Sequence, residues 1–318
     1  MGKIINGIHD ADATLQAGQV ALANEATITT AFMSEPLSNF IKADPSANDL
    51  SALLDYLAGN VQAGRRFEYR VAAHGGKIAV TELNADIRAA GGSFKVIEAA
   101  GQVEQGKTLS KGLTMAIDLD DDKENPNARE EAALYLKRLL LTLEINRVLA
   151  LIEANATPQN IIWGDAVGGV WADPDSDLMQ ALHVETRNAN PNRALIGATA
   201  LANRFRALRA GDPSKGATSM LTLDQLAGLI GLESIRSEKI VYLDNDGASK
   251  NLIPGNKVYG FHQPTGGTRY DASNIKRFTT GGWRVFEREL EALVLVTVSH
   301  YSDIVMLDKE GLVVMEVA

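Results

Sequence analysis

The chain has 318 residues, 45% hydrophobic and 22% charged, which suits one large domain or two ordinary ones with a real core and excludes a disordered chain. The formal net charge of −9 argues against a dedicated nucleic-acid reader, because the overall field repels phosphate. The absence of cysteine excludes a disulfide framework and thiolate metal sites, and it fits assembly in a reducing compartment.

Met1 to Ile8 carries one lysine and no apolar run, so no secretory signal is expected. Nowhere are there roughly 18 consecutive apolar residues, so no membrane helix is expected. Residues 1–48 are rich in Ala, Asn, Thr and Asp with little periodicity, and they read as an extended arm. Leu50, Leu53, Leu54 and Leu57 fall on one helical face and predict a helix over 49–58, ended near Gly59. Residues 65–105 change character. Phe67-Glu68-Tyr69-Arg70-Val71 alternates, Lys77 to Val80 and Ser93 to Ile97 read as further strands, and the pairs Gly75-Gly76 and Gly91-Gly92 read as turns. Few large apolar side chains occur there, so this is expected to be a projecting β loop.

An acidic run, Asp118 to Glu124, precedes the clearest element. Asn125 as N-cap, Pro126 at the first position and Glu130 and Glu131 in the first turn predict a helix over 126–154. Its two apolar stripes are Leu136, Leu140, Leu143 and Leu141, Ile145, Val148, Ile152. At 1.5 Å per residue it would be roughly 43 Å long. Beyond it, Ala194 to Gly197 reads as a short strand or helix approach. Leu201, Phe205 and Leu208 share a helical face. Thr222 caps a helix carrying Leu226, Leu229 and Ile230 and ended by Gly231. Strands are expected at 239–243, 257–261, 283–287, 292–298, 304–307 and 312–315, with a turn at Lys309-Glu310-Gly311.

Chemical motifs are sparse. Gly101-Gln102-Val103-Glu104-Gln105-Gly106-Lys107-Thr108 matches the phosphate-loop pattern, in which loop amides and a lysine cradle phosphates and the hydroxyl holds magnesium. The pattern needs a helix after it. The run to Asp118 leaves no room for one before the next strand, so a lysine-bearing turn is the preferred reading. Counted from Asp118, the calcium-loop positions for glycine and glutamate hold Lys123 and Arg129. His9, His74, His183, His262 and His300 show no metal-ligand spacing. Arg204, Arg206 and Arg209 read as a solvated face or subunit contact. No catalytic, cofactor-binding or metal residue is assigned, and no enzymatic activity is expected.

The order of elements is a polar arm, a projecting β loop, one very long helix, a mixed region and a strand-rich end. It resembles the Hong Kong 97-type major capsid fold of tailed bacteriophages. Local likeness lies in Ala198 to Arg206, Leu221 to Ile235, Gly255 to Phe261, and Trp283 to Glu289 with Ser299 to Asp303. The resemblance implies an α+β chain. It would comprise an N-terminal arm (1–60), an extended β loop (61–115), a spine helix of the peripheral domain (116–160), an axial domain (161–267) and peripheral-domain strands (268–318). It implies a self-assembling structural protein that forms pentamers and hexamers of an icosahedral head shell around packaged DNA, held on the inner face without sequence specificity. A separate scaffolding protein and a portal are the implied partners. The implied location is the virion, after assembly in the host bacterial cytoplasm, with no membrane involvement. Arg65, Arg66, Arg70 and Lys77 of the loop are the expected intersubunit contacts. Some relatives weld this loop to a neighbour through a lysine–asparagine isopeptide bond. Lys77, Lys95 and Lys107 would supply amines and Asn274 the acceptor, but no motif selects that chemistry, and a non-covalent clasp is expected. An encapsulin-like compartment shell and a phosphate-loop nucleotide hydrolase using Gly101 to Thr108 stand as alternatives.

Overall fold

The structure, a computed structural model, describes residues 3–5, 8–10, 32–71, 101–156, 158–163, 173–184, 191–211, 221–243, 250–264, 271 and 273–318. The strands expected at 77–80 and 93–97, and with them Lys77 and Lys95, lie outside the described residues.

Strands β1 (Lys3–Ile5) and β2 (Ile8–Asp10) pair antiparallel near the start. The extended arm expected over 1–48 gives way at Glu35 to helix α1 (Glu35–Ala43), and a single 3-10 turn (Pro45–Ala47) leads into α2 (Asn48–Leu57). Two apolar residues four apart, Leu37 and Ile41, are enough to hold α1, and both are buried. In α2, Leu53, Leu54, Tyr56 and Leu57 are buried, and the helix ends at Leu57 with Ala58 as its C-cap, directly before the expected Gly59.

Strands β3 (Gly59–Gln62), β4 (Arg66–Val71), β5 (Gln102–Lys107) and β6 (Leu109–Asp118) lead to the short helix α3 (Leu119–Glu124). Helix α4 (Ala128–Asn155) has 28 residues, about 42 Å at 1.5 Å per residue. It starts two residues later than expected. Asn125 closes a turn instead of capping, its Oδ1 accepting from Asn127 N at 3.0 Å, and the Asn127 carbonyl takes the first helical bond, from Glu131 N at 2.9 Å. Pro126 therefore lies in that turn. Leu136, Leu140, Leu141, Ile145, Val148 and Ile152 are buried as expected, but Leu143 is 40% exposed. The stripe continues from Leu140 by four residues to Glu144, which is fully buried. Tyr135, Leu139 and Leu143 share a separate face that stays open.

The remaining elements are β7 (Pro158–Ile161), α5 (Pro174–Met179) running into a π turn (Gln180–Val184), β8 (Arg193–Gly197), α6 (Ala198–Gly211), α7 (Leu223–Ile230), β9 (Ser234–Glu238), β10 (Ile240–Leu243), β11 (Lys250–Ile253), β12 (Lys257–Phe261), β13 (Ile275–Glu289), β14 (Leu293–Met306) and β15 (Val313–Val317). Helix α7 starts as expected, with Thr222 and Gln225 exchanging the two bonds of a capping box. Its Leu226 and Ile230 are buried while Leu229 is 58% exposed. One sheet has the order β7-β15-β12-β8-β9, antiparallel at its centre and parallel at both edges. Its core joins Trp163, Leu178, Ile196, Leu226, Ile230 and Val258. Where β8 turns into α6, a Cβ on Gly197 would stand 2.1 Å from the Gly255 carbonyl oxygen, so only glycine lets these backbones meet. A second sheet has the order β3-β13-β14-β6, and β10 pairs with β11 as a separate hairpin.

By its contacts the chain forms two compact units. One comprises 1–46, 112–137 and 282–300, and the other 47–111, 138–281 and 301–318.

Candidate subunit-contact site

The alternation seen in Phe67 to Val71 becomes a two-stranded ribbon of β4 and β5, in the register Arg66 with Lys107, Phe67 with Gly106, Glu68 with Gln105, Tyr69 with Glu104 and Arg70 with Val103. Paired residues share a face and alternate residues face oppositely, so this register sorts the ribbon into two faces. The Phe67 face is fixed to the body. The Phe67 ring stacks on Phe278 at 4.1 Å. Gly106 lies beneath the ring, where a Cβ would stand 2.4 Å from its edge. On the same face Tyr69 donates to Glu104 at 2.8 Å. Partial burial, then the bonded carboxylate, push the Tyr69 hydroxyl up to about 12.

The other face carries Arg66 opposite Lys107, Glu68 opposite Gln105, and Arg70 opposite Val103. Arg66 and Lys107 are exposed, and Val103 is 47% exposed. Arg70 also donates to the Gly101 carbonyl at 3.3 Å. Two of the four expected contact residues, Arg66 and Arg70, thus stand on one open cationic face. Arg65 lies apart, its guanidinium 4.8 Å over the Tyr301 ring, and Lys77 lies outside the described residues.

This geometry overturns the nucleotide-hydrolase alternative. Most of the Gly101 to Thr108 motif is strand β5, laid in a ladder against β4, so it cannot curl its amides around a phosphate. The final Thr108 is buried, its amide donating to Arg65 O at 3.0 Å and its hydroxyl sharing a bond with Thr280 at 3.0 Å. A strand, β6, follows it in place of a helix.

The acidic run forms α3, with Asp118 capping it by accepting from Asp120 N at 2.9 Å. Arg129 gathers three carboxylates: Asp122 through Nε and Nη2 at 2.9 and 2.7 Å, Glu287 at 2.8 Å and Glu289 at 2.9 Å. The Arg129 hydrogen bonds hold Asp122 below the usual aspartate range. Beside this knot Asp121, Glu124 and Glu131 stand exposed at the rim of a groove. Met115 and Tyr135, 40% and 55% exposed, line it as well, with Ile117 and Ala132 buried beneath. Among the described residues no His, Asp or Glu grouping could hold a metal ion, and no helix is long and apolar enough to cross a membrane.

The knot makes a pH prediction. Arg129→Ala should cost about 1.5–3 kcal/mol near neutrality, the range for hydrogen bonds to charged groups. Asp122 has a lowered value in the folded state, so its contribution is present above the unfolded value of about 3.9 and is lost as pH falls through the folded one. The gap between the parent and Arg129→Ala should therefore narrow in urea titrations as pH falls below about 4, and close only below the folded value. An equal gap at pH 3 and pH 7 would contradict the knot.

Several buried charges fix the frame that carries the ribbon. Glu144 of α4 accepts from Lys111 at 2.7 Å, Arg147 at 2.6 Å and the Ser302 hydroxyl at 3.1 Å. Lys111 lies on β6, in the stretch that leaves the ribbon. Burial raises the nearby Asp303, with Lys111 acting against the shift and Glu144 reinforcing it. Arg277 donates to Asp55 at 2.7 Å, and its own burial lowers its proton affinity. Arg204, expected on a solvated face, is fully buried. It holds Asp175 at 2.7 and 3.1 Å and the Leu221 carbonyl at 3.1 Å. Asn274, the acceptor named for crosslinking, is 1% exposed. Its Oδ1 accepts from His262 N at 2.5 Å and its Nδ2 donates to Asp308 O at 3.1 Å and Glu310 O at 2.7 Å. Attack by a lysine of another copy would require this corner to open.

No protein-family model matches the sequence, and no curated protein resembles it significantly. Solved structures do match. A phage-related protein from Bordetella bronchiseptica RB50 superposes with a TM-score of 0.61 at 12% identity, over 89% of this chain and 96% of that one. The virus-like particle of Pyrococcus furiosus matches with a TM-score of 0.51 at 15% identity, over 91% of this chain and 100% of that one. The likeness runs nearly end to end in both chains, so the α+β fold expected from the sequence, the Hong Kong 97-type capsid fold, is the fold this chain adopts.

Proposed function

We propose that this chain is the major capsid subunit of a tailed bacteriophage, a structural protein that self-assembles into an icosahedral head shell around DNA. The observation that carries the reading is the fold match to a virus-like particle protein over 91% of this chain and all of the other. The ribbon supports it, since a ribbon with an open charged face and exposed Val103 offers a neighbour something to bind. Pentamers and hexamers would be the building units. Each contact can be modest, because closed symmetry makes many act together. A separate scaffolding protein and a portal would act during assembly in the host cytoplasm. DNA would lie inside without sequence-specific contacts, consistent with a chain whose net charge of −9 repels phosphate. An encapsulin-like compartment shell is the second reading, because the same fold match serves it equally.

Sedimentation of the protein, with and without a scaffolding partner, tests assembly. A fast shell-sized boundary is expected, and a single slow monomer boundary under every condition would refute the proposal. The contents separate the two readings. Nuclease-protected DNA in particles from the native source supports the phage head, and enclosed protein without DNA supports the compartment.

A further inference from the structure

We draw no further inference here: the strongest candidate, the polar cleft lined by Tyr56, Gly59, Arg193, Arg236 and Gln263 beside the end of α2 and the start of β9, carries none, because its carboxylates Asp55 and Glu233 are already held by Arg277 and Arg193 and nothing in the structure shows what fills it.

Discussion

Glu144→Ala is expected to lower the unfolding free energy of the subunit by about 3–5 kcal/mol, the cost of breaking a buried charge pair from one side. The Glu144 side chain is 1% exposed and its partner Lys111 13%. Alanine would leave the Lys111 ammonium with little water and no carboxylate at 2.7 Å, and would remove the bond that the Ser302 hydroxyl donates to Glu144. The cavity adds to the loss, because Glu144 stands between Leu140 and Val148 on the packed stripe of α4. Glu144→Gln keeps the shape and a bond to Ser302 but not the charge, so it should fall between alanine and the parent. Replacing both partners with Met should recover much of the loss, since the desolvation cost of the pair goes with it. Urea unfolding of the four proteins reads this order. A Glu144→Ala midpoint equal to that of the parent would mean that Glu144 is not buried against Lys111.

Arg204→Ala is expected to cost a similar amount, about 3–5 kcal/mol. Its side chain is 1% exposed, and its fork spans both oxygens of Asp175 while also reaching the Leu221 carbonyl. One substitution would cut α6 loose from α5 and from the segment leading into α7. Arg204→Lys should recover only part of the loss, because an ammonium is a point charge and cannot bridge three oxygens in a plane. Asp175→Asn should be milder than Arg204→Ala, since it leaves one acceptor in place. Thermal or urea unfolding distinguishes these outcomes. A near-silent Arg204→Ala would place the guanidinium in solvent, as its spacing beside Arg206 and Arg209 suggests.

Long, strongly patterned elements were legible in the sequence. Helix α4 declares itself by two stripes of apolar residues, and α7 by Thr222, Gln225 and Gly231. What the pattern could not reveal was the partner of each face. Leu143 fits an apolar stripe by spacing three, yet the buried row advances by four and lands on Glu144. A carboxylate inside an apolar row is the signal that was there to be read, because such a group persists only with a buried cation beside it. Arg204 carried no such signal, since Asp175 is distant in sequence and only folding brings it near. The strands β13 and β14 are longer than their apolar runs. The strand expected at 283–287 is the end of β13, which begins at Ile275 because neighbouring strands pair with it. Pairing likewise decides the phosphate-loop motif, which is strand β5 because β4 lies beside it. Of the candidate contact site, the ribbon was legible by alternation and its Arg66 and Arg70 by their charge in a stretch poor in large apolar side chains. The groove beside the acidic run was not legible, because alternation in β6 cannot say which face stays uncovered and leaves Met115 exposed.

Cryo-electron microscopy of the purified protein, alone and with a scaffolding partner, tests the central claim most directly. The account predicts closed shells built from fivefold and sixfold clusters, with the β4–β5 ribbon of each copy lying on a neighbour. Fields of isolated subunits under every condition, with no rings and no shells, would contradict it.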